Sequence, residues 1–235
     1  IEAVCPETVS CADILAFAAR DSAFPVGGFH YAVPDCQQAA ATEQYPSSAS
    51  PWKIPIFFFN VTQLVENIAR KGLSVDEMVA LSGAHSIGIT PCSRICNRLF
   101  STPKDIAYPS LDPKFARSLR NVCPPPSKSG ATTFDEPQLL PLDIRTPNLL
   151  DNQYYVDLVN NRGLLTSNQT LTRDPKTAKL VQKYTKHGPK WVKKYIAAME
   201  HMGSIDVLTG NQGEIKKNCR QSRKLGISLR CHFKL

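Results

Sequence analysis

Apolar residues recur at three- and four-residue spacing along much of the chain, the period of a helix with one buried face. Ile14, Leu15, Ala18 and Ala19 share a face behind Ser10, which predicts a helix over 11–21 capped by that serine. Val61, Leu64, Val65, Ile68 and Ala69 form a stripe between Asn60 and Gly72, a start and a stop for a second helix. Ser74 followed three residues later by Glu77 reads as a capping box opening a helix over 75–81. Asp112-Pro113 and Asp174-Pro175 each place an acidic cap before a first-turn proline. They predict helices over 114–122 and 176–186, the latter stopped by Gly188. Trp191, Val192, Tyr195, Ile196, Met199 and Met202 make a further stripe, and 212–218 suits a short helix. No sustained alternation marks a strand, so the fold class is mainly α. Residues 24–55, 103–113 and 123–147 break the pattern as loops.

Composition narrows the class. With 235 residues, 42% hydrophobic and 20% charged, the chain is globular and long enough for one substantial core. The longest apolar runs, 14–19 and 55–59, are too short to span a bilayer, so no membrane partner is expected. No charged-then-apolar leader opens the sequence. Lys and Arg exceed Asp and Glu by 28 to 20, a net +8 concentrated in 176–194 and 216–234. That balance favours anionic partners. No helix-turn-helix, zinc finger or RNP pattern accompanies it, so nucleic acid is not expected among them. Eight cysteines without a Cys-X-X-Cys pair point to disulfides and an oxidising compartment.

Two places could carry chemistry. His85 sits in Leu81-Ser82-Gly83-Ala84-His85-Ser86-Ile87-Gly88, where small residues let a flat, bulky group approach the backbone. A neutral imidazole there could ligate a metal, although a satisfied core histidine has the same appearance in sequence. Residues 143–151 (DIRTPNLLD) collect two carboxylates, a hydroxyl and turn carbonyls, hard oxygen donors suited to Ca²⁺. Caps in a proline-containing turn would look alike. Two Asn-X-Thr triplets, 60–62 and 168–170, also read as glycan acceptors.

Five segments then agree in order with one family: 9–15 (VSCADIL), 76–88 around His85, 142–155 (LDIRTPNLLDNQYY), 161–167 (NRGLLTS) and 199–220. On these the chain resembles the plant secretory (class III) haem peroxidases, outside 24–51 and the unfamiliar tail 221–235. The resemblance implies a helical plant-peroxidase-like haem fold, truncated at its N-terminus, and one partial haem peroxidase domain over 1–235. It implies haem b with His85 as axial iron ligand and Asn168 as the partner orienting that imidazole. It implies Ca²⁺ held by Ser86, Asp143, Thr146, Asp151 and the Leu149 carbonyl. Pro55 resembles the proline at the edge where aromatic donors enter. Cys11 would pair with Cys219 and Cys92 with Cys123. Cys5 would pair upstream of Ile1, and Cys36, Cys96 and Cys231 have no counterpart.

The implied function is reduction of hydrogen peroxide with oxidation of small phenolic donors, by a monomer secreted to the cell wall or held in the vacuole. Three departures temper it. The family's distal helix, with its proton-shuttling His and charge-stabilising Arg, has no match, so no distal catalytic residue is expected in this chain and its turnover is expected to be impaired. Asn168 stands where the family has Asp, so it can accept the imidazole proton but supplies no charge. Residues 24–51 replace a stretch that the family has in another form. A second reading is a catalytically weak haem-binding protein, or one held on anionic cell-wall polysaccharide. The resemblance also places Asn168 inside, leaving Asn60 as the glycan acceptor.

Overall fold

The computed structural model describes residues 3, 4, 6, 8–33, 54–100, 110–125, 138–208, 215, 218 and 219. Helices dominate these residues, consistent with the mainly α expectation. In chain order they are α1 (Cys11–Gly27), α2 (Val61–Ala69), α3 (Val75–Ser82), α4 (Cys96–Phe100), α5 (Pro113–Val122), α6 (Gln153–Val159), α7 (Thr166–Gln169), α8 (Pro175–Lys186) and α9 (Gly188–Gly203). None among the described residues is long and apolar enough to cross a membrane.

The local start signals act as the sequence predicts. Ser10, Asn60 and Ser74 each accept a hydrogen bond from the backbone three residues on, and Asp13, Gln63 and Glu77 each accept one in turn from the cap's backbone N–H. Asp112 and Asp174 cap α5 and α8 ahead of Pro113 and Pro175. Gly72, with φ of 76°, turns the chain out of the α2 segment in a conformation that favours glycine.

Four expectations are corrected. First, α1 runs through Pro25 to Gly27 and ends on Gly28 in the left-handed region, so 24–27 are helical and not loop. A proline at that point sacrifices only a bond near the helix end. Second, Gly188 opens α9; the break from α8 is the single residue His187, with φ −138° and ψ 72°. Third, two strands exist: β1 (Ile89–Pro91) pairs antiparallel with β2 (Leu139–Pro141), Thr90 opposite Leu140. Three residues ending in proline are too few to show an alternation. Fourth, the apolar face of α1 is not core: Leu15 is 72% exposed and Ile14, Ala18 and Ala19 also face solvent, while Asp13 and Ala23 are buried. The helix expected over 212–218 falls largely outside the described residues, as do Cys5, Cys36 and Cys231.

Two apolar clusters organise the molecule. The larger holds Met78, Val79 and Ala80 of α3 against Tyr154, Tyr155 and Leu158 of α6, Val181 and Tyr184 of α8, and Trp191, Tyr195 and Ala198 of α9. The smaller surrounds the Cys92–Cys123 disulfide and includes Ile95, Leu99, Ala116, Leu119, Leu140, Leu164 and Leu165. α3 packs against α8 and α9, and the turn at its C-terminal end, packed on α6, carries the candidate site.

Candidate functional site

Beyond Ser82 the chain tightens into a 3-10 turn, Gly83–Ser86, bearing His85 and Ser86 side by side. Its approach is fixed by the larger core. The Tyr155 hydroxyl donates to Val79 O at 2.7 Å and Ala80 O at 3.2 Å, and the Trp191 indole donates to Ala80 O at 3.0 Å. Gly83 must be glycine because a Cβ there would lie 2.5 Å from Trp191 Nε1 and 2.6 Å from the Tyr155 hydroxyl. The imidazole is thus presented by a turn whose preceding carbonyls are already satisfied.

His85 Nδ1 lies 2.8 Å from Asn168 Oδ1. Asn168, 3% exposed, sits in α7, a one-turn helix whose Ser167 N–H donates to Phe57 O at 2.9 Å. That bond joins the 55–59 segment to α7 and frames a cavity of about 250 Å³. Its lining is Pro55, Phe57, Leu64, Ser82, His85, Leu165, Ser167 and Asn168. Burial pushes the His85 imidazole below its ordinary pKa, and the bond to Asn168 opposes this, so the surroundings favour the uncharged ring. An amide oxygen accepts but cannot donate, so Nδ1 carries the proton and Nε2 keeps its lone pair. The Tyr154 ring stands edge-on to the imidazole, with centroids 6.3 Å apart.

The next residue enters a second constellation. Ser86 Oγ lies 2.9 Å from Leu149 O and 3.0 Å from Asp151 Oδ1. Thr146 Oγ1 lies 3.1 Å from Asp143 Oδ2 and 3.3 Å from Asp151 Oδ1. Asp143 Oδ1 accepts the Arg145 and Thr146 N–H groups, and Asp151 Oδ1 accepts that of Gln153. Five oxygen-bearing residues therefore converge, two of them carboxylates. Their donors are hydroxyl, carboxylate and carbonyl oxygens, a hard set of the kind suited to Ca²⁺ and not to zinc, although among the described residues no three His, Cys, Asp or Glu side chains gather in a metal-binding group. Just beyond, burial and the Asp143 charge push the Asp157 carboxyl up to about 6, with Gln153 donating to it at 3.2 Å and Arg145 Nε 3.7 Å away.

The residues singled out in sequence therefore fall into two sets back to back across the 85–86 peptide. His85, Asn168 and Pro55 share the cavity; Ser86, Asp143, Thr146, Leu149 and Asp151 share the oxygen cluster. Sequence reasoning missed Phe57, Leu64, Ser82, Leu165 and Ser167 as cavity lining. Ser82 carried a signal, lying three residues before His85 and hence on its side of a helical turn. The others meet there only through tertiary packing. The Cys11–Cys219 and Cys92–Cys123 disulfides are both present, the pairs that the resemblance implies. Cys96 is unbridged and half-buried, its thiol donating to Cys92 O.

The family model described as Peroxidase matches residues 1–187. The chain belongs to the peroxidase family, in its plant class III branch. Among its relatives, Peroxidase 5 of Vitis vinifera is 42% identical over 221 residues, covering 94% of this chain and 65% of the relative. Peroxidase 2 of Oryza sativa subsp. japonica is 39% identical, covering 93% of this chain and 66% of the relative. Peroxidase 12 of Arabidopsis thaliana is also 39% identical, covering 93% of this chain and 58% of the relative. The chain thus spans less than two thirds of the length of these curated relatives.

Proposed function

We propose that these residues form the histidine-bearing side of a haem pocket in a peroxidase that reduces hydrogen peroxide and oxidises small phenolic donors. The observation that carries this reading is the His85 imidazole held through Nδ1 by Asn168 Oδ1, on a cavity whose other walls include Pro55, Phe57, Leu64 and Leu165. Haem b bound there would supply the iron-centred redox chemistry of peroxide reduction. His85 is the residue that would hold it, through Nε2. Asn168 keeps the ring in that tautomer and orientation, as a hydrogen-bond partner does for a ligating histidine. Being neutral, it adds no anionic character, which favours a higher iron potential than a carboxylate at 168 would give. Pro55, exposed at the cavity edge, is where a donor would approach.

Ca²⁺ is the second group the residues fit. Ser86, Asp143, Thr146, Leu149 and Asp151 would hold it, and through Ser86 it would fix the backbone beside His85. Added Ca²⁺ is expected to raise the melting temperature of the chain, EDTA to reverse the gain, and Asp143→Ala to abolish it, as read by scanning calorimetry.

Haem titration tests the main reading. The wild-type chain is expected to give a saturable Soret shift, His85→Ala to lose it while keeping its far-UV circular dichroism, and Asn168→Asp to keep it with a lower reduction potential. A His85→Ala protein that binds haem like wild type sinks the assignment. Among the described residues the cavity lining offers an imidazole, an amide and two serine hydroxyls, but no guanidinium and no second imidazole. General acid–base help contributes roughly 10²–10⁴-fold, so the 235 residues alone are expected to bind haem yet turn peroxide over slowly. The paired disulfides support a secreted location, in cell wall or vacuole.

One observation favours a second reading, retention on an anionic cell-wall polysaccharide. Lys176, Lys179, Lys183 and Lys186 are all exposed and recur along one side of α8. Retention on polygalacturonate that falls with salt and with charge reversal of these four lysines checks it.

A further inference from the structure

We propose that Tyr184 and Asp76 form a redox-active tyrosine pair, the point at which an oxidising equivalent that enters a run of contiguous aromatic rings at His85 comes to rest. The pair itself stands apart from the peroxidase reading; only the source of the oxidant at His85 rests on it.

The rings lead from the cavity into the core. Between centroids, Tyr154 is 6.3 Å from the His85 imidazole, Tyr155 is 5.0 Å from Tyr154, and Tyr184 is 5.2 Å from Tyr155. A branch leaves Tyr155 for Trp191 at 5.9 Å. All three tyrosines and Trp191 are buried. Phenol and indole give up one electron more readily than the aliphatic side chains around them.

The rings differ in where their protons can go. A phenol that loses an electron becomes acidic, and a positive charge left in an apolar core is costly. The Tyr154 hydroxyl finds no hydrogen-bond partner among the described residues. The Tyr155 hydroxyl and the Trp191 indole donate to backbone carbonyls of α3, which are too weak as bases to keep a proton. The Tyr184 hydroxyl instead donates to the carboxylate of Asp76, at 2.8 Å from Oδ1.

The surroundings of the pair suit this exchange. Asp76 stands in the first turn of α3, and Lys194 Nζ, 3.1 Å from Oδ2, holds the oxygen turned away from the phenol. The Asp76 side chain is 32% exposed, so a proton taken up there is within reach of water. Lys183 Nζ lies 5.6 Å from the centre of the Tyr184 ring. A cation at that place disfavours a positive ring, so electron and proton leave together. Burial, followed by the bond to Asp76, pushes the Tyr184 phenol above its ordinary pKa, which keeps the proton in place until oxidation.

In the step itself one electron passes from Tyr184 to a one-electron oxidant, which is reduced by that electron. The phenolic O–H bond breaks, and the proton forms an O–H bond to Asp76 Oδ1. A neutral phenoxyl radical and a neutral carboxylic acid remain, and return of one electron and that proton restores the pair. An equivalent left unspent for want of a donor is thereby drawn away from the His85 cavity.

Flash oxidation of the full haem-free chain by photogenerated tris(bipyridine)ruthenium(III), read by electron paramagnetic resonance, tests the pair. The expected result is a tyrosyl signal with a proton coupling that exchanges in heavy water, lost in Tyr184→Phe. Asp76→Asn, which keeps an acceptor oxygen but no base, is expected to lose the same signal while keeping its far-UV circular dichroism. A signal unchanged in Tyr184→Phe, or as strong in Asp76→Asn as in wild type, overturns the pair. The route is tested on the chain loaded with haem, as judged by the Soret shift, and mixed with hydrogen peroxide. The same signal is expected, and its loss in Tyr155→Phe. Loaded chain that consumes peroxide without that signal, or a signal undiminished in Tyr155→Phe, overturns the route. A chain that takes up no haem overturns the peroxidase reading and the route with it, while the haem-free oxidation still decides the pair.

Discussion

Tyr154 and Tyr155 are adjacent, of one type and both buried, yet their hydroxyls meet opposite surroundings. That of Tyr155 donates to two α3 carbonyls, whereas that of Tyr154 finds no hydrogen-bond partner among the described residues. The Ser82 hydroxyl, which donates to Met78 O, lies beside it and could accept, but the pair falls outside hydrogen-bond geometry. An unmade bond in the interior is expensive, and removing an unsatisfied group is not. Tyr155→Phe is therefore expected to lower unfolding free energy by about 1–2 kcal/mol. Tyr154→Phe is expected to leave it unchanged or slightly raised, with urea denaturation comparing the two. Nothing in the run Gln153-Tyr154-Tyr155-Val156 distinguishes the pair, because the difference lies in which carbonyls of a segment some 75 residues earlier face each ring.

At the scale of elements, α3 shows how a local signal acquires a tertiary role. Glu77 closes the capping box with Ser74 and also reaches the His201 imidazole of α9, 2.6 Å away. Burial alone would raise its carboxyl, but the hydrogen bonds from Ser74 and His201 outweigh it and hold the pKa at about 2. Because the folded value lies below the ordinary one of 4.5, the stabilisation is full above pH 4.5 and disappears as pH falls toward 2. Glu77→Gln is expected to flatten that part of the acid limb in a pH series of urea melts. Ser74→Ala is expected to cost about 1 kcal/mol at neutral pH.

The same contrast explains which elements were legible in the sequence. α2, α3, α5 and α8 announce themselves because their caps, prolines and stripes are contiguous along the chain. α6 does not, because Asn152 at its start caps nothing. Its amide instead donates to Tyr184 O and Thr185 O near the end of α8. α7 has no side-chain cap and is held by Phe57 O and by His85. Both helices matter to the site, and both are specified by partners far along the chain. The candidate site residues were legible through the family resemblance; from chemistry alone, His85 looks like any buried histidine. The exposed face of α1 was misread in kind, since periodicity reports a helix face but not which way it turns.

For the whole molecule, the long-range staple is Cys11–Cys219, with a sequence separation of 208. It fastens the first turn of α1 to the end of the described chain, while Cys92–Cys123 closes a separation of 31 within the smaller core. Constraint of the unfolded state grows with the loop closed, so the paired Cys11→Ser and Cys219→Ser substitutions are expected to lower stability by about 2–5 kcal/mol. Thermal unfolding with and without reductant checks this.

That bridge also closes residues 11–219 into a covalent ring. A protease that cuts once anywhere between residues 12 and 218 opens the ring without releasing a piece. Such a nicked molecule would migrate as one band on a non-reducing gel and as two after reduction. Nicks between His85 and Asn168 could accumulate in this way while the two fragments that bear them stay tethered to each other.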